Sequence, residues 1–371
     1  MNQTSTYQRI AATIKQTWVD PALPGERLPT ERALETHFGV SRATISRALS
    51  VLTAEGWIKT RRGSGAFVAD RRAEPSSDFR PIGFIAPYLP PKEELQNPVL
   101  QRIGFGVERR ASELGYQAIT ASSQFSMEHE AKLIDQFIQM GVSGIILYPT
   151  YSPRPRCSDH TDPLAQRWRE FPIVLTDIGS AHWGRSMVQI DNFRLGHDLT
   201  VALLRNGHRN IVFLHTDKAR LHNSVTDRQR GWEAALLRAG TTIPPSYRGW
   251  PAEEFSHPEG LEESDADLLA TALLQLSPRP DAVIAWDDPA AIALILALGR
   301  QGIAVPEQIR VAGFDNYEAG RFFHPTFPTT APDFIRLGET AVDLLDEQLN
   351  SPRCAPRTLL LSATILSRGL V

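Results

Sequence analysis

The 371-residue chain is poor in cysteine, because Cys157 and Cys354 are its only two and they lie far apart. Such a pair supports neither a disulfide framework nor a cysteine metal cluster, and it is typical of a reducing compartment. No apolar run is long enough to cross a bilayer. The N-terminal residues lack the basic-then-apolar pattern of a secretory signal. We therefore expect a cytoplasmic protein with no membrane partner and no metal site.

Residues that carry enzymatic chemistry are also scarce. The chain has no His-Glu-x-x-His zinc pair, and "GVSG" lacks the full nucleophile elbow. A pyridoxal-phosphate enzyme needs a Schiff-base lysine, and none of the lysines lies in a convincing cofactor motif. The lysines are Lys15, Lys59, Lys92, Lys132 and Lys218. We expect no cofactor and no enzymatic activity.

Charge is distributed unevenly along the chain. Residues 1–73 carry eleven Lys+Arg and six Asp+Glu, a balance of +5, whereas the remainder carries 28 and 36, a balance of −8. A basic segment on an acidic body is expected when only that segment meets nucleic acid. Chance scatter over so short a segment is the alternative explanation.

The basic segment is predicted to contain three helices. "TYQRIAATIKQTWV" has apolar residues at helical spacing, and "PALPGERLP" ends that helix. Thr30 as N-cap and Gly39 as C-cap bound a second helix, whose apolar face we assign to Ala33, Leu34 and Phe38. A third helix begins after Ser41, with apolar residues facing inward and polar residues facing outward. The inward residues are Ile45, Leu49 and Leu52, and the outward ones are Arg42, Thr44, Ser46 and Arg47.

A short hairpin is predicted after the third helix. The strands "WIKT" and "AFV" are joined by "RRGSG", whose glycines permit a close backbone approach to a DNA groove. Arg61 and Arg62 at this tip would contact phosphates. Two helices joined by a tight turn, followed by a basic hairpin, are typical of a winged helix-turn-helix that reads DNA. A solvated helical hairpin with ordinary surface arginines is the alternative.

The stretch "LPTERALETHFGVSRATISRALSVLTAEGWIKTRRGSGAFV" resembles the winged helix-turn-helix of the GntR family of bacterial transcription regulators. Thr30 stands where that family usually has serine. The resemblance implies DNA contacts from both helices of the motif and from the wing. Those residues are Arg32, Ser41, Arg42, Thr44, Arg47, Gly63, Ser64 and Gly65.

The rest of the chain predicts a two-lobed α/β body. We assign residues 1–70 to the DNA-binding domain, 71–81 to a polar, proline-containing linker, and 82–371 to the body. Short apolar strands alternate with helical segments in the body, which favours parallel sheets covered on both faces. Two doubly wound lobes fit this number of strands better than one sheet. The eight candidate strands cover 82–86, 117–121, 144–148, 172–176, 187–190, 210–214, 282–286 and 309–314.

Polar and aromatic residues follow several of these strands at their carboxyl ends, where such folds bind ligands. Asp177 follows "PIVLT", Asp287 and Asp288 follow "AVIAW", and Asp315 follows "IRVAGF". Carboxylates can bond sugar hydroxyls while aromatic faces cover C–H surfaces, so the pattern predicts a polyol or sugar pocket. Each aspartate taken alone could equally be a turn or helix-cap residue.

The segments "NPVLQRIGFGVERRASELGY", "VQIDNFRLGHDLTVALLRNGHRNIVFL" and "PDAVIAWDDPAAIALILALGRQGIAVPEQIRVAGFDN" resemble the effector domain of the LacI family, which shares the periplasmic sugar-binding-protein fold. The family's own helix-turn-helix and hinge helix are absent here. The loop 150–163 is longer and more basic than usual and stays unassigned. The resemblance implies effector contacts from Asp177, Ser224, Arg228, Trp250, Asp287, Asp315 and Phe334.

Together the two resemblances imply a homodimeric repressor that binds operator DNA and responds to a small-molecule effector, a sugar. Two alternatives stay open. GntR-type heads also occur on aminotransferase-like bodies, although this chain is short for one. The chain could also be a sugar-binding module whose head no longer binds DNA.

Overall fold

The computed structural model divides into two compact units, which we call the head (residues 1–79) and the body (residues 80–371). The structure describes residues 6–22, 25–54, 56–61, 65–68, 80–87, 98–150, 167–179, 183–214, 223–247, 263–351 and 354–370.

The head is a small helical domain with a two-stranded sheet. Its elements are α1 (Thr6–Ile14) continued by a π-turn (Lys15–Val19), α2 (Glu31–Phe38), α3 (Arg42–Ala54), β1 (Ile58–Arg61) and β2 (Gly65–Val68). The two strands pair antiparallel. Side chains from all three helices and from the hairpin form one apolar core, centred on Ile14, Leu34, Ile45 and Leu52. The predicted winged helix-turn-helix order is therefore present.

Local signals in the sequence set the bounds of α2. The Thr30 hydroxyl accepts a hydrogen bond from the Ala33 amide at 3.3 Å, and Gly39 ends the helix in the left-handed region at φ +62°. Ala33 is exposed, however, so its predicted place on the apolar face is wrong. Leu34 and Phe38 are four residues apart and share a face, whereas Ala33 projects about 100° to one side of Leu34.

The first lobe of the body is built on a six-stranded parallel sheet. Its strands are β3 (Arg80–Ala86), β4 (Tyr116–Ser122), β5 (Ile145–Leu147), β6 (Ile173–Thr176), β7 (Ser186–Ile190) and β12 (Thr358–Leu361), in the order β12-β7-β6-β5-β3-β4. Every residue of β5 and β6 is buried. Continuous apolar strands are expected where helices cover both faces of a sheet. The helices of this lobe are α4 (Pro98–Glu113), α5 (Met127–Met140) and α11 (Phe334–Asn350).

The second lobe contains a three-stranded parallel sheet and an antiparallel pair among the described residues. The parallel strands are β8 (Ile211–Phe213), β9 (Ala282–Ile284) and β10 (Arg310–Ala312), and the pair is β11 (Thr329–Ala331) with β13 (Thr364–Leu366). The helices are α6 (Asn192–Arg205), α7 (Asn223–Arg238), α8 (Glu263–Leu274), α9 (Asp288–Arg300) and α10 (Glu318–Phe322). The chain passes between the lobes at residues 191, 332–333 and 362–363.

The predicted α/β class, with parallel sheets in two lobes behind a helix-turn-helix, is confirmed. Two details differ from the prediction. Arg80 and Pro81 pair with β4, so these two residues belong to the body and not to the linker. The strands β11, β12 and β13 were not among the predicted ones, because each spans only three or four residues. No helix in the described part of the chain combines the length and the apolar character that crossing a bilayer requires.

Candidate functional site

A buried ion pair lies at the carboxyl ends of the second lobe's strands. Arg228 on α7 binds Asp315, which follows β10, through two parallel hydrogen bonds: Nη2 to Oδ1 at 2.7 Å and Nη1 to Oδ2 at 3.2 Å. The side chains are 7% and 10% exposed. The fork-to-carboxylate geometry fixes the planes of both groups, so the pair is a rigid polar feature.

Arg228 is held on its other sides as well. Its Nε donates to Oδ1 of Asn192 at 2.8 Å, and Nη1 also donates to the carbonyl oxygen of Trp286 at 2.7 Å. The guanidinium carbon lies 4.5 Å from the centre of the Phe314 ring. Four of the five N–H groups of Arg228 thus bind acceptors, and one on Nη2 has no acceptor among the described residues.

The backbone that follows β10 is shaped to present Asp315. Asp315 and Asn316 both lie in the left-handed region, with φ +83° and +48°. Such φ values are uncommon outside glycine and are tolerated best by Asp and Asn. The Asp315 amide donates to the Thr330 hydroxyl at 3.2 Å, and Arg368 binds the Asn316 side chain at 2.8 Å. These contacts hold the turn in place.

The first lobe contributes Asp177, directly after β6. Its φ is +60°, the Tyr148 hydroxyl donates to its Oδ2 at 3.3 Å, and the Gln189 amide donates to its carbonyl oxygen at 3.2 Å. The pKa of Asp177 is raised to about 6, mainly because the carboxyl is buried and also because the negative charge of Asp315 disfavours its ionised form. Burial likewise raises the pKa of the Tyr148 phenol. The charge of Asp315 in the second lobe therefore acts on Asp177 in the first.

The lobes also touch through Asn223 at the start of α7. Its Nδ2 donates to the carbonyl oxygen of Gly179 in the first lobe at 3.3 Å, and its Oδ1 is buried without a hydrogen-bond donor among the described residues. Ser224 follows it, half-buried, one helical turn before Arg228. Residues four apart on a helix share a face, so Ser224 and Arg228 point the same way.

Asp287 and Asp288 serve the architecture of the second lobe. Asp287 caps α9 by accepting the Ala290 amide at 2.8 Å, and Asp288 binds the Thr329 hydroxyl and the Tyr317 amide. Burial raises the pKa of each carboxyl to about 7. The helix-cap explanation left open for these residues therefore applies to Asp287, whose part in ligand binding stays a prediction.

The two remaining predicted effector residues are placed differently. Phe334 is the first residue of α11 and is buried in the core where the chain re-enters the first lobe. Trp250 lies outside the described residues, as do residues 151–163 of the unassigned loop.

The helix that carries Arg228 crosses α6 at very close range. A Cβ added to Gly231 would meet the carbonyl oxygen of Phe193, and one added to Gly196 would meet that of Arg228. Only glycine allows two helix backbones to approach so closely. The crossing places Asn192, the first residue of α6, within reach of the Arg228 guanidinium.

In the head, the predicted DNA-contacting residues of α3 are solvent-exposed. Arg42 and Arg47 are exposed, and Thr44 is partly so. The Ser41 and Thr44 hydroxyls lie 3.0 Å apart. Arg42 binds Glu31 of α2 at 2.9 Å.

A ring contact of Arg47 and the positions of Arg32 and Gly65 complete the described part of this face. Arg47 lies over the Tyr7 ring, with its guanidinium carbon 4.8 Å from the ring centre. Arg32 is exposed on α2. Gly65 begins β2 with φ +102°. Arg62, Gly63, Ser64 and the side chain of Arg61 lie outside the described residues, so the predicted wing contacts are described only at Gly65.

Sequence reasoning missed several residues that build the candidate effector site. Asn192 and the Trp286 carbonyl bind Arg228, and Tyr148 binds Asp177. Tyr148 and Trp286 end predicted strands, so the strand-end rule that found the aspartates could have found them too. Asn192 carries no comparable signal, because its role depends on the helix crossing.

Comparison with known proteins identifies both units. A model of bacterial regulatory proteins of the gntR family matches residues 5–68. A model of the periplasmic binding protein-like domain matches residues 200–369.

Two repressors match most of this chain. The chain is 27% identical to the arabinose metabolism transcriptional repressor of Geobacillus stearothermophilus, over 88% of this chain and 86% of that one. It is 29% identical to the ribose operon repressor of Escherichia coli K12, over 74% of this chain and 78% of that one. Among solved structures, the complex of the transcriptional regulator CelR with cellobiose has the same fold, with a TM-score of 0.65, 21% identity, and coverage of 99% and 100%.

These matches agree with the order of elements in the head and with the parallel sheets of the body. The chain is therefore an effector-controlled, DNA-binding transcriptional regulator that joins a gntR-family helix-turn-helix domain to a periplasmic-binding-protein-like domain of the LacI type.

Proposed function

We propose that this regulator is a repressor whose effector is a sugar held between the two lobes of the body. The observation that carries the proposal is the buried Arg228–Asp315 pair, which faces Asp177 of the opposite lobe. Relatives named as arabinose and ribose repressors, and the CelR–cellobiose complex, support the sugar class.

The chemistry of the cleft suits a polyhydroxylated ligand. Carboxylate oxygens of Asp177 and Asp315 accept hydrogen bonds from hydroxyl groups, while the free N–H of Arg228 and the Ser224 hydroxyl donate. A hydrogen bond to a charged group contributes about 1.5–3 kcal/mol. We further propose that Asp287, Phe334 and Trp250 complete the pocket.

The head would bind the operator. We propose base contacts from Arg42 and Arg47 and phosphate contacts from the hydroxyls at the start of α3, because helix N-termini and hydroxyl groups suit phosphate oxygens. The full proposed set is Arg32, Ser41, Arg42, Thr44, Arg47, Arg61, Arg62, Gly63, Ser64 and Gly65.

Control of DNA binding would work through a dimer. Two subunits pair through their bodies in the cytoplasm, and their heads read two half-sites of a near-palindromic operator. The effector draws the lobes of each body together and thereby lowers operator affinity. By thermodynamic reciprocity, the operator then lowers effector affinity by the same factor, typically about 5–150-fold. The pocket binds its ligand without transforming it.

A two-part experiment tests this proposal. Melting temperature is measured with arabinose, ribose, cellobiose and other sugars in turn, because a ligand that binds only the folded protein raises its stability. Fluorescence anisotropy of a labelled duplex from upstream of the protein's own gene then follows DNA release by the stabilising sugar. We expect one sugar to do both. A sugar that stabilises the protein but leaves the DNA bound would contradict repression by release.

A matched pair of variants locates the pocket. Asp315→Ala should weaken effector binding at least about tenfold, the loss of one charge-assisted hydrogen bond, while operator binding persists. The control is Asp333→Ala, which removes an exposed helix cap on α11. The control should lower the melting temperature and keep the ligand. The pocket assignment is wrong if Asp315→Ala behaves as the control does in calorimetric titration.

A further inference from the structure

Arg42 of the DNA-binding head is engaged at one specific atom. Its Nε donates to Oε2 of Glu31 at 2.9 Å, and the two side chains are 78% and 40% exposed. Glu31 is the first residue of α2, and Arg42 is the first residue of α3. The contact therefore joins the starts of the two helices of the DNA-reading motif.

The choice of Nε matters for base recognition. A guanidinium reads guanine through two parallel N–H groups, and the edge formed by Nη1 and Nη2 can supply both. An acceptor on Nε leaves that edge open and restrains the plane of the group. Among the described residues, Arg42 makes no other hydrogen bond. Glu31 thus holds the side chain by the edge that base reading does not need.

A carboxylate on a DNA-facing surface also has an electrostatic effect. DNA phosphates repel it, and it offsets part of the attraction between Arg42 and any phosphate. That attraction is independent of sequence and supplies most of the non-specific affinity. The charge of Glu31 therefore weakens binding to every duplex. Its restraint of Arg42, in contrast, helps only a duplex that has guanine at the matching position.

We infer that Glu31 is a positioning residue for sequence discrimination. Its charge lowers the affinity of the head for every duplex, but it aims Arg42 at a base that only a matching duplex offers, so it raises the ratio of operator affinity to non-specific affinity. The inference rests on the proposed DNA contacts of Arg42. A role in stability alone is the competing explanation, because an acidic residue in the first turn of a helix interacts favourably with the helix dipole.

The experiment compares full-length variants on two duplexes. One duplex is selected by the parent protein from a random-sequence pool, and the other is a scrambled version of the same composition. Glu31→Ala should bind the scrambled duplex more tightly than the parent does, and its affinity ratio should fall by about tenfold, or about 1.4 kcal/mol. Glu35→Ala is the control, because it removes an equal charge from α2 at a position with no ion pair among the described residues. Its ratio should stay close to the parent value.

A double-mutant cycle then separates positioning from stability. If Glu31 acts through Arg42, Glu31→Ala should change the affinity ratio little in an Arg42→Ala background. Equal losses in both backgrounds would overturn the inference, as would a ratio in Glu31→Ala that matches Glu35→Ala. Melting curves identify any variant that unfolds, and Glu31→Gln, which keeps an acceptor for Nε, should retain part of the ratio. A parent protein that selects no duplex would instead contradict the proposed function.

Discussion

Arg42 in the head and Arg228 in the body are used in opposite ways. The Arg42 side chain is 78% exposed and has one protein acceptor, whereas Arg228 is 7% exposed and gives four N–H groups to protein acceptors. An exposed guanidinium keeps its donors for a large anionic partner such as DNA. A buried guanidinium with most of its donors bound fixes the shape of a pocket and leaves a single N–H for a ligand.

The difference shows how each unit achieves selectivity. In the head, the proposed base contacts would come from side chains that stay accessible and are restrained by single neighbours. In the body, the ligand would meet groups already fixed by several hydrogen bonds, so selectivity would come from shape and from the direction of each donor and acceptor. Changes to the two arginines should therefore be detected by different measurements.

The largest expected effect comes from Arg228→Met. It leaves the Asp315 carboxylate buried without its cation, which typically costs about 3–5 kcal/mol. Denaturant unfolding should show this loss in the transition of the body. Arg230→Met on the same helix is the control, because Arg230 is an exposed residue paired with Asp227 and its loss should cost less than about 1 kcal/mol. Equal losses of unfolding free energy in the two variants would contradict the difference proposed between buried and exposed arginines.

A second test concerns the helix crossing that places Asn192 beside Arg228. Gly231→Ala should destabilise the body by about 1–3 kcal/mol, because the added methyl group overlaps the Phe193 carbonyl oxygen. Gly299→Ala on α9 is the control, since its Cβ would have open space. The control should be neutral or gain up to about 1 kcal/mol from helix propensity. Thermal melts measure both variants, and a Gly231→Ala protein as stable as the Gly299→Ala control would show that the helix crossing tolerates a methyl group.

On the head side, Arg42→Ala should leave stability unchanged and weaken specific DNA binding by about 1–3 kcal/mol, the range of one base contact. Effector binding should not change, since the residue belongs to the head. Anisotropy titrations at fixed salt, with a melting curve as control, measure both quantities. Operator affinity equal to that of the parent would mean that α3 does not present Arg42 to DNA.

The smallest expected effect concerns pH and Asp177. Its pKa is raised from 3.8 to about 6, so the folded protein binds this proton more tightly than the unfolded chain does. Its contribution therefore makes the unfolding free energy fall as pH rises from 3.8 to about 6, and the loss persists above that range. Asp177→Asn should remove this dependence and gain on the order of 1–2 kcal/mol relative to the parent near neutral pH. Unfolding free energies that change with pH in the same way in the parent and in Asp177→Asn would show that the Asp177 carboxylate is solvated.

Much of the fold could be predicted from local patterns. The predicted strands all appear in the structure within about three residues of their limits, because buried parallel strands are uninterrupted apolar runs. Thr30 and Gly39 marked the ends of α2 because capping depends on a few neighbouring residues. The prediction failed at Ala33, whose small side chain carries no packing signal of its own, and at the short strands Thr329–Ala331, Thr358–Leu361 and Thr364–Leu366.

For the candidate site, the positions of Asp177 and Asp315 at the cleft could be predicted because each follows a strand and all carboxyl ends of a parallel sheet lie at one edge. The same rule could not separate ligand contacts from helix caps, and Asp287 is a cap. Trp250 and the wing tip could not be placed in the site, since residues 248–262 and 62–64 lie outside the described part of the chain.

The sequence by itself determined the order of the elements, the division into a DNA-binding head and an effector-binding body, and the edge of each sheet at which polar groups collect. These features follow from periodicity and capping, which act over a few residues. Only the tertiary structure decided that Arg228 is held by Asn192, Trp286 and Asp315 and that Glu31 holds Arg42 by Nε. Arg228 and Asp315 are 87 positions apart, and no local pattern specifies which donor meets which acceptor over that distance. Their pairing is fixed by the close packing of α6 and α7 and by the left-handed turn at Asp315.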